Sequence, residues 1–297
     1  MVGRNILSNP LSKAHNFLSP TRKTLNLLDP VSINLFLQKN KIEFVIHSAG
    51  IVGGIEANIQ SPVRYLVENS QMGMNLVNAC ASHGITNFMN LGSSCMYPAY
   101  FPQPLSEQDL LQGLLEPTNE GYALAKILVT KLCEFVSNQN KCLSYKTVIP
   151  CNLYGPHDNF SYNSSHMIPA VIRKIHDAII QKENNIQIWG DGQARREFMN
   201  VKDFSNFIFY AIENFHTMPQ NLNVGLGYDY SINNYYEIIA KQLGFLGKFS
   251  HDLSKPVGMH QKLLNIEKLK TFGWSHKVSL EDGIQDSYKF FKEKYVN

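Results

Sequence analysis

Charge is scarce in this sequence. Of its 297 residues only 17% are charged, and 27 lysines and arginines against 24 acids leave a formal net charge of +3. The basic residues form no run, and where they gather, from Lys289 to Lys294, acids are mixed in. That pattern excludes the basic stripe of a nucleic-acid binder. Cysteine is scarce too: Cys80, Cys95, Cys133, Cys142 and Cys151 make an odd count with no Cys-x-x-Cys pair. Reduced thiols in a cytoplasm fit this count; a disulfide scaffold or a thiolate zinc site does not, and no metal is expected. No apolar run approaches the roughly 20 residues of a membrane helix, so no membrane partner is expected. The polar start around Asn5, Asn9 and Pro10 does not read as a signal peptide. Repeats and low-complexity tracts are also missing. What is present is a chain that is 44% hydrophobic, enough for a real core and against disorder.

Short apolar runs alternate with longer helical patterns, which predicts β-α units around a parallel sheet. Phe44-Val45-Ile46 runs into the small residues Ser48-Ala49-Gly50, and Asn87 to Leu91 runs into Gly92-Ser93-Ser94. A third strand is predicted from Tyr145 to Pro150. Helices are predicted between them, from about Val63 to His83 and from about Asn119 to Val136. After Pro150 the chain turns polar, from Asn152 to Asn159 and on through Ser161 to Ser165, and reads as a functional loop. Then a helix is predicted over Met167–Ile180, strands over Ile186–Trp189, Glu197–Val201 and Leu222–Val224, and a helix capped by Asp203 down to Asn214. Helices over Asn233–Leu243 and from about Leu280 complete the chain. The expected architecture is a doubly wound, Rossmann-like α/β sheet over residues 1–150, with a return segment near 200–225, and a smaller α/β substrate domain over 151–297.

Tyr122-x-x-x-Lys126 lies inside the second predicted helix, where a spacing of four puts both side chains on one face. An ammonium beside a phenol favours the phenolate, so Lys126 is expected to lower the Tyr122 pKa and fit the phenol for proton exchange at a carbonyl. With 14 tyrosines in the chain, chance supplies about one such spacing; Tyr288-x-x-x-Lys292 is read as that structural match. Context separates the two. Ser93 and Ser94 sit at the carboxyl end of a predicted strand, where open parallel sheets bind ligands, one β-α unit before Tyr122. Cys95 follows directly, and His166 opens the helix after the polar loop. A lone cysteine is more often a small buried hydrophobe, and a lone histidine more often a cap or a packed imidazole. A perturbed thiol at a strand end can instead act as a base.

Four blocks, Gly92-Ser93-Ser94-Cys95-Met96-Tyr97-Pro98, Glu116 to Lys126, Asn152 to Phe160 and Arg195-Arg196-Glu197-Phe198, together with Val52-Gly53-Gly54-Ile55, stand in an order and spacing that resemble the GDP-L-fucose synthases. Those enzymes form a branch of the extended short-chain dehydrogenase/reductases, and the similarity runs nearly the whole length. The resemblance implies NADPH-dependent epimerisation at C3 and C5 and reduction at C4 of GDP-4-keto-6-deoxy-D-mannose, by a homodimer joined through the helices near 63–83 and 119–136. It implies a reductase triad of Ser93, Tyr122 and Lys126, and Cys95 with His166 as the base and acid of epimerisation. On the substrate side it implies Asn152, Lys174, Trp189, Arg196 and Lys262. On the cofactor side it implies Gly3, Asp29 and Arg22, the last at the 2′-phosphate.

Two departures stand out. Met1-Val2-Gly3 matches only the end of the dinucleotide turn; the preceding strand and earlier glycines are missing, which is expected to leave neighbouring strands unpaired and to weaken NADPH binding. Val257, Gln261 and Asn265 stand where the resembling family more often carries charge. Two other readings therefore remain open: a related epimerase or dehydratase that retains NAD, and a catalytically weak remnant. A dehydratase would carry acids near the strand-end serine, where this chain has Ser94-Cys95-Met96.

Overall fold

The computed structural model describes residues 1–297 apart from Asn163, Pro256 and Asn297, so that part of the predicted polar loop, at Asn163, lies outside the described residues. Along the chain, α1 (Val2–Ser8) and α2 (Pro30–Lys39) precede β1 (Phe44–His47). α3 (Ile55–Gln60) and α4 (Pro62–Ser82) lead to β2 (Asn87–Leu91), and α5 (Glu120–Gln139) leads to β3 (Ser144–Pro150) and at once to β4 (Asn152–Tyr154). Then come α6 (Met167–Gln181), β5 (Asn185–Trp189), β6 (Arg195–Arg196), β7 (Phe198–Asn200), α7 (Val201–Glu213) and β8 (Asn221–Val224). β9 (Tyr230–Ser231), α8 (Ile232–Leu243), β10 (Lys248–Asp252), β11 (Gln261–Lys262), α9 (Glu267–Phe272) and α10 (Leu280–Tyr295) complete the chain.

The main sheet has the order β1-β2-β3-β8 and is parallel throughout. Parallel neighbours need crossovers; α3 and α4 supply the first, α5 the second, and the segment carrying α6 and α7 the third. The registers Asn87↔Ser144 to Leu91↔Val148 and Thr147↔Asn221 to Pro150↔Val224 bring the carboxyl ends of the strands to one edge. Asn90, fully buried in β2, is tolerated because its amide donates to Thr130 and Thr147 hydroxyls at 3.4 and 3.2 Å. Among the described residues β1 pairs with β2 alone, and Phe44 to Ile46 are half buried. This is the Rossmann-like α/β architecture expected from the sequence.

Three apolar clusters hold the molecule. One, around Leu91, Val148, Phe207 and Phe209, fills one face of the sheet, and another, around Ile33, Val77, Phe88 and Cys133, fills the other. A third, around Ile172, Ile188, Tyr235 and Phe291, joins α6, α8 and α10. The remaining strands form the short sheets β10-β5, β11-β6-β9 and β4-β7.

Several expectations are corrected. Asn152–Tyr154, predicted as loop, is a strand: it pairs in parallel with Phe198–Asn200, and its backbone polar groups are satisfied there. Asp203 does not cap α7. Asn200 does, accepting from Lys202 N at 2.8 Å, while Asp203 lies buried and accepts from Lys277 N and Val278 N at 3.0 and 2.8 Å. Helices α1 and α2 were not predicted. The second motif match is structural as read: Lys292 Nζ lies 4.7 Å over the Tyr288 ring on α10, and the Tyr288 hydroxyl bonds His176 Nδ1 at 3.0 Å.

Candidate active site

β2 ends at Leu91, and Gly92 turns the chain where any Cβ would press on Thr147 Cγ2 at 3.1 Å and the Val148 carbonyl at 3.3 Å. Ser93 caps the short 3-10 turn Ser94–Met96, its hydroxyl accepting from Cys95 N at 3.3 Å. The turn therefore presents Ser93 and Cys95 at the carboxyl edge, facing α5. From α5, Lys126 Nζ donates to the Leu91 carbonyl at 2.8 Å and lies 5.7 Å from the centre of the Tyr122 ring.

The electrostatics differ from the sequence expectation. Burial pushes the Tyr122 pKa well up, the nearby Cys95 pushes the same way, and the Ser93 hydrogen bond opposes only in part. Lys126 itself is pushed down to about 8, chiefly by burial, with Cys95 opposing. The ammonium is engaged by Leu91, so desolvation of the phenol wins. Tyr122 is a protonated donor. His47, at the end of β1, is buried and pushed down to about 3 by burial and then by Lys126, so it is neutral, and its Nδ1 has no partner among the described residues.

Cys95 is half buried between two donors. Asn119 Nδ2 and Lys262 Nζ each lie 3.7 Å from its sulfur. Lys262, on β11, stands opposite Arg196 on β6. Arg196 donates to the Arg195 carbonyl at 2.8 Å and the Val257 carbonyl at 3.4 Å. Its pKa is lowered by burial, with Cys95 and Glu116 opposing. Glu197 locks these strands from beneath. It has no exposure, and it accepts from Leu226 N, from Gly227 N at 2.8 Å and from Leu264 N at 3.0 Å. Burial still pushes its pKa up to about 7 against those three bonds. Asp229 adds a second tie, accepting from Arg195 Nε and Gln261 Nε2 at 2.7 Å each.

Thus Ser93, Cys95, Tyr122, Lys126, Arg196 and Lys262 converge. No contact among the described residues joins His166 to this group. It precedes α6 without capping it and lies within electrostatic reach of the buried Asp158, whose pKa burial raises. The neighbouring Ser165 carbonyl lies 3.2 Å from where a Cβ on Gly54 would stand, which brings this segment to the loop before α3. Other predicted residues are engaged in structural bonds. Asn152 Nδ2 donates to the Glu197 carbonyl at 2.9 Å. Lys174 Nζ donates to the Gln187 carbonyl at 2.7 Å, and burial lowers its pKa. Trp189 is half exposed under Lys255 Nζ at 5.2 Å. Arg22 is exposed in a turn, and Asp29 caps α2 by accepting from Val31 N at 2.9 Å. Gly3 lies in α1, where a Cβ would stand 3.3 Å from Ser48 Oγ.

Four residues were not singled out from the sequence. Asn119 and Glu197 lie inside the quoted blocks, but only their contacts reveal what they do. Tyr65 lies with its ring 6.5 Å from Tyr122 and its hydroxyl against Gly53. Asn69 clamps the loop after β1, accepting from Ile51 N at 2.8 Å and donating to Ile51 O at 3.1 Å.

Comparison with known proteins shows the family. The model of the NAD dependent epimerase/dehydratase family matches residues 1–225. GDP-L-colitose synthase of Yersinia pseudotuberculosis is 54% identical over 297 residues, covering 100% of this chain and 96% of that protein. GDP-L-fucose synthase of Azorhizobium caulinodans is 42% identical over 291 residues, covering 98% of this chain and 93% of that one. Among solved structures, the GDP-mannoheptose C4 reductase of Campylobacter jejuni with NADP bound superposes with a TM-score of 0.87 at 26% identity, over 98% of this chain and 95% of that one. The chain is an enzyme of the NAD dependent epimerase/dehydratase family, and within it belongs with the GDP-L-fucose and GDP-L-colitose synthases.

Proposed function

We propose that the protein inverts and then reduces GDP-4-keto-6-deoxy-D-mannose with NADPH, giving GDP-L-fucose. One observation carries this reading: a thiol, Cys95, stands within electrostatic reach of the reductase pair Tyr122 and Lys126. A simple reductase has no use for a base at that place. A 4-keto group acidifies the hydrogens at C3 and C5. Cys95 removes one of them, and the carbon–hydrogen electron pair moves into an enolate. The Tyr122 and Ser93 hydroxyls hold the enolate oxygen. His166 returns a proton from the opposite face, which inverts the carbon. In the later reduction Tyr122 gives its proton to the same oxygen, a task that suits a phenol held protonated by burial. Arg196 meets the diphosphate, with Asn152 beside it.

The residues present fit the nicotinamide cofactor. Lys126 spends one N–H on Leu91 and keeps two for a sugar hydroxyl, and Gly50 leaves open a space that any Cβ would fill, 3.3 Å from Asn69 Oδ1 and 3.9 Å from Lys126 Nζ. Lys126, Tyr122, Gly3, Asp29 and Arg22 would hold NADPH, which supplies the hydride for C4. Val63 and Val67 on α4 and Leu124, Leu128 and Phe135 on α5 leave an exposed apolar stripe, which a second copy of the chain would cover in a homodimer. Five free thiols are in keeping with a cytoplasmic protein.

The higher identity to the colitose enzyme favours one second reading, with GDP-L-colitose as the product. Purified protein is offered NADPH and the 4-keto precursor of each sugar, and the product is identified by NMR. NADPH consumption with GDP-L-fucose formed supports the first reading, and turnover of the other precursor alone supports the second. Bound NAD recycled without net NADPH consumption would refute both.

A further inference from the structure

We infer that Lys262 makes Cys95 a base: its ammonium pairs with the Cys95 sulfur and holds it as the thiolate before substrate arrives, with Asn119 as the second donor. The inference rests on the reading of Cys95 as the base of epimerisation, and it gives Lys262 a task other than the sugar-nucleotide contact that family resemblance implies.

The geometry is two-sided. Lys262 Nζ and Asn119 Nδ2 both point N–H groups at the sulfur from 3.7 Å, within the reach of a hydrogen bond to sulfur. A neutral thiol is a weak acceptor, whereas a thiolate welcomes two donors. Lys262 is also buried, at 7% exposure, and none of the ion pairs among the described residues includes it. A buried ammonium without a counter-charge is strongly disfavoured, and the sulfur is the group beside it that can take negative charge. Nor is the lysine free to swing to solvent. β11 is paired with β6 at Lys262↔Arg196, and two residues on, Leu264 N is fixed by Glu197.

The surroundings agree from every side. Arg196 on β6 and Lys126 on α5 lie within electrostatic reach of Cys95; the acids facing this group are Glu116 and Asp229, which act on Arg196, and Glu197, which with Lys262 acts on Cys151. The other neighbour on α5, Tyr122, is a neutral phenol. The buried thiols contrast with this. Burial pushes Cys80 and Cys133 up. Lys262 also reaches Cys151, but burial and the Glu197 carboxylate outweigh it there. Among the five thiols Cys95 alone combines partial exposure with two donors on its sulfur and the neighbouring cations Lys262, Lys126 and Arg196.

Lys262 is therefore a positioning residue that never gives up its own proton. As the sugar's C–H bond breaks and S–H forms, negative charge passes from sulfur to the enolate.

The test is the pH dependence of Cys95 alkylation by iodoacetamide in the free, full-length protein, followed by mass spectrometry of the peptide carrying Cys95. Wild type should show a midpoint below about 7.5, against about 8.5 for an ordinary thiol. Lys262→Met should raise the midpoint by about one pH unit or more, so that alkylation near pH 6.5 slows roughly tenfold. Lys262→Arg, which keeps a cation there, should stay near wild type. A wild-type midpoint at about 8.5, or a Lys262→Met profile that overlays wild type, overturns the inference. The wild-type midpoint decides alone if the methionine variant does not fold. No substrate is present, so a failure here leaves the NADPH and product assay untouched, and failure of that assay leaves the thiol titration untouched.

Discussion

Glu197→Gln should change how stability depends on pH. Glu197 has no exposure and ties two segments to its own through Leu226 N and Gly227 N on one and Leu264 N on the other. Its carboxyl is pushed up to about 7 from an ordinary value of 4.5. A carboxyl with a raised folded pKa binds its proton more tightly in the native state than in the unfolded chain. Between about pH 4.5 and 7 the native state therefore holds the extra proton, and stability falls as pH rises through that window. At about 1.4 kcal/mol per pH unit the window is worth roughly 3 kcal/mol. Glutamine has a similar shape and does not titrate. Urea unfolding of wild type and variant, followed by circular dichroism at pH 4.5, 6 and 8, isolates the effect as the difference between the two proteins. That difference should move in the variant's favour by roughly 3 kcal/mol from the lowest pH to the highest. A difference that stays constant with pH, or moves the other way, would refute the reasoning and show that the three N–H groups outweigh burial.

Three further outcomes are expected. Lys126 is pushed down to about 8, so kcat/KM for reduction should fall as pH rises through about 8 and the lysine loses its charge; in Lys126→Arg that alkaline limb should move up, because the guanidinium stays protonated. Gly73 on α4 faces Val129 on α5, and a Cβ there would overlap one Val129 methyl and lie 3.0 Å from the other; Gly73→Leu should destabilise the protein by about 1–3 kcal/mol in urea unfolding. Phe135 and Val63 are 61% and 71% exposed, and Phe135→Glu with Val63→Glu should convert the proposed homodimer to a monomer in analytical ultracentrifugation; a dimer that persists in the variant, or a monomeric wild type, would refute that interface.

Much of this was legible in the residues. Strands β2 and β3 show as apolar runs closed by Gly92 and Pro150, and long helices α4, α5 and α6 show through their periodicity. Two-residue strands such as β6, β9 and β11 offer no period to read, and β4 was hidden in a stretch of turn-forming residues. Helix α2 did carry a signal, a capping Asp29 followed by proline at its first position. Asp203 was misread because Asn200, three residues earlier, is an equally good cap. Within the site, Tyr122 and Lys126 could be paired from spacing alone, but their pKa directions could not, because burial is a tertiary property. The Lys262–Cys95 contact joins residues 167 positions apart; the bridge Leu105↔Leu264 ties the segment after Cys95 to the one carrying Lys262, and β11 pairs that segment with β6. Glu197 had no sequence signal of burial at all: a charged residue in a polar block reads as surface.

One site is proposed to perform inversion and reduction, with Cys95 and His166 acting in inversion alone, Ser93 able to hold the enolate oxygen beside Tyr122, and Tyr122 giving the proton in reduction. The most direct measurement of this division follows GDP-4-keto-6-deoxy-D-mannose in heavy water, with deuterium at C3 and C5 read by NMR and NADPH oxidation read by absorbance. Tyr122→Phe should lose NADPH oxidation by about 100-fold or more while still exchanging deuterium, and Cys95→Ala should lose exchange first. Equal loss of both activities in both variants would contradict the division of labour and the account built on it.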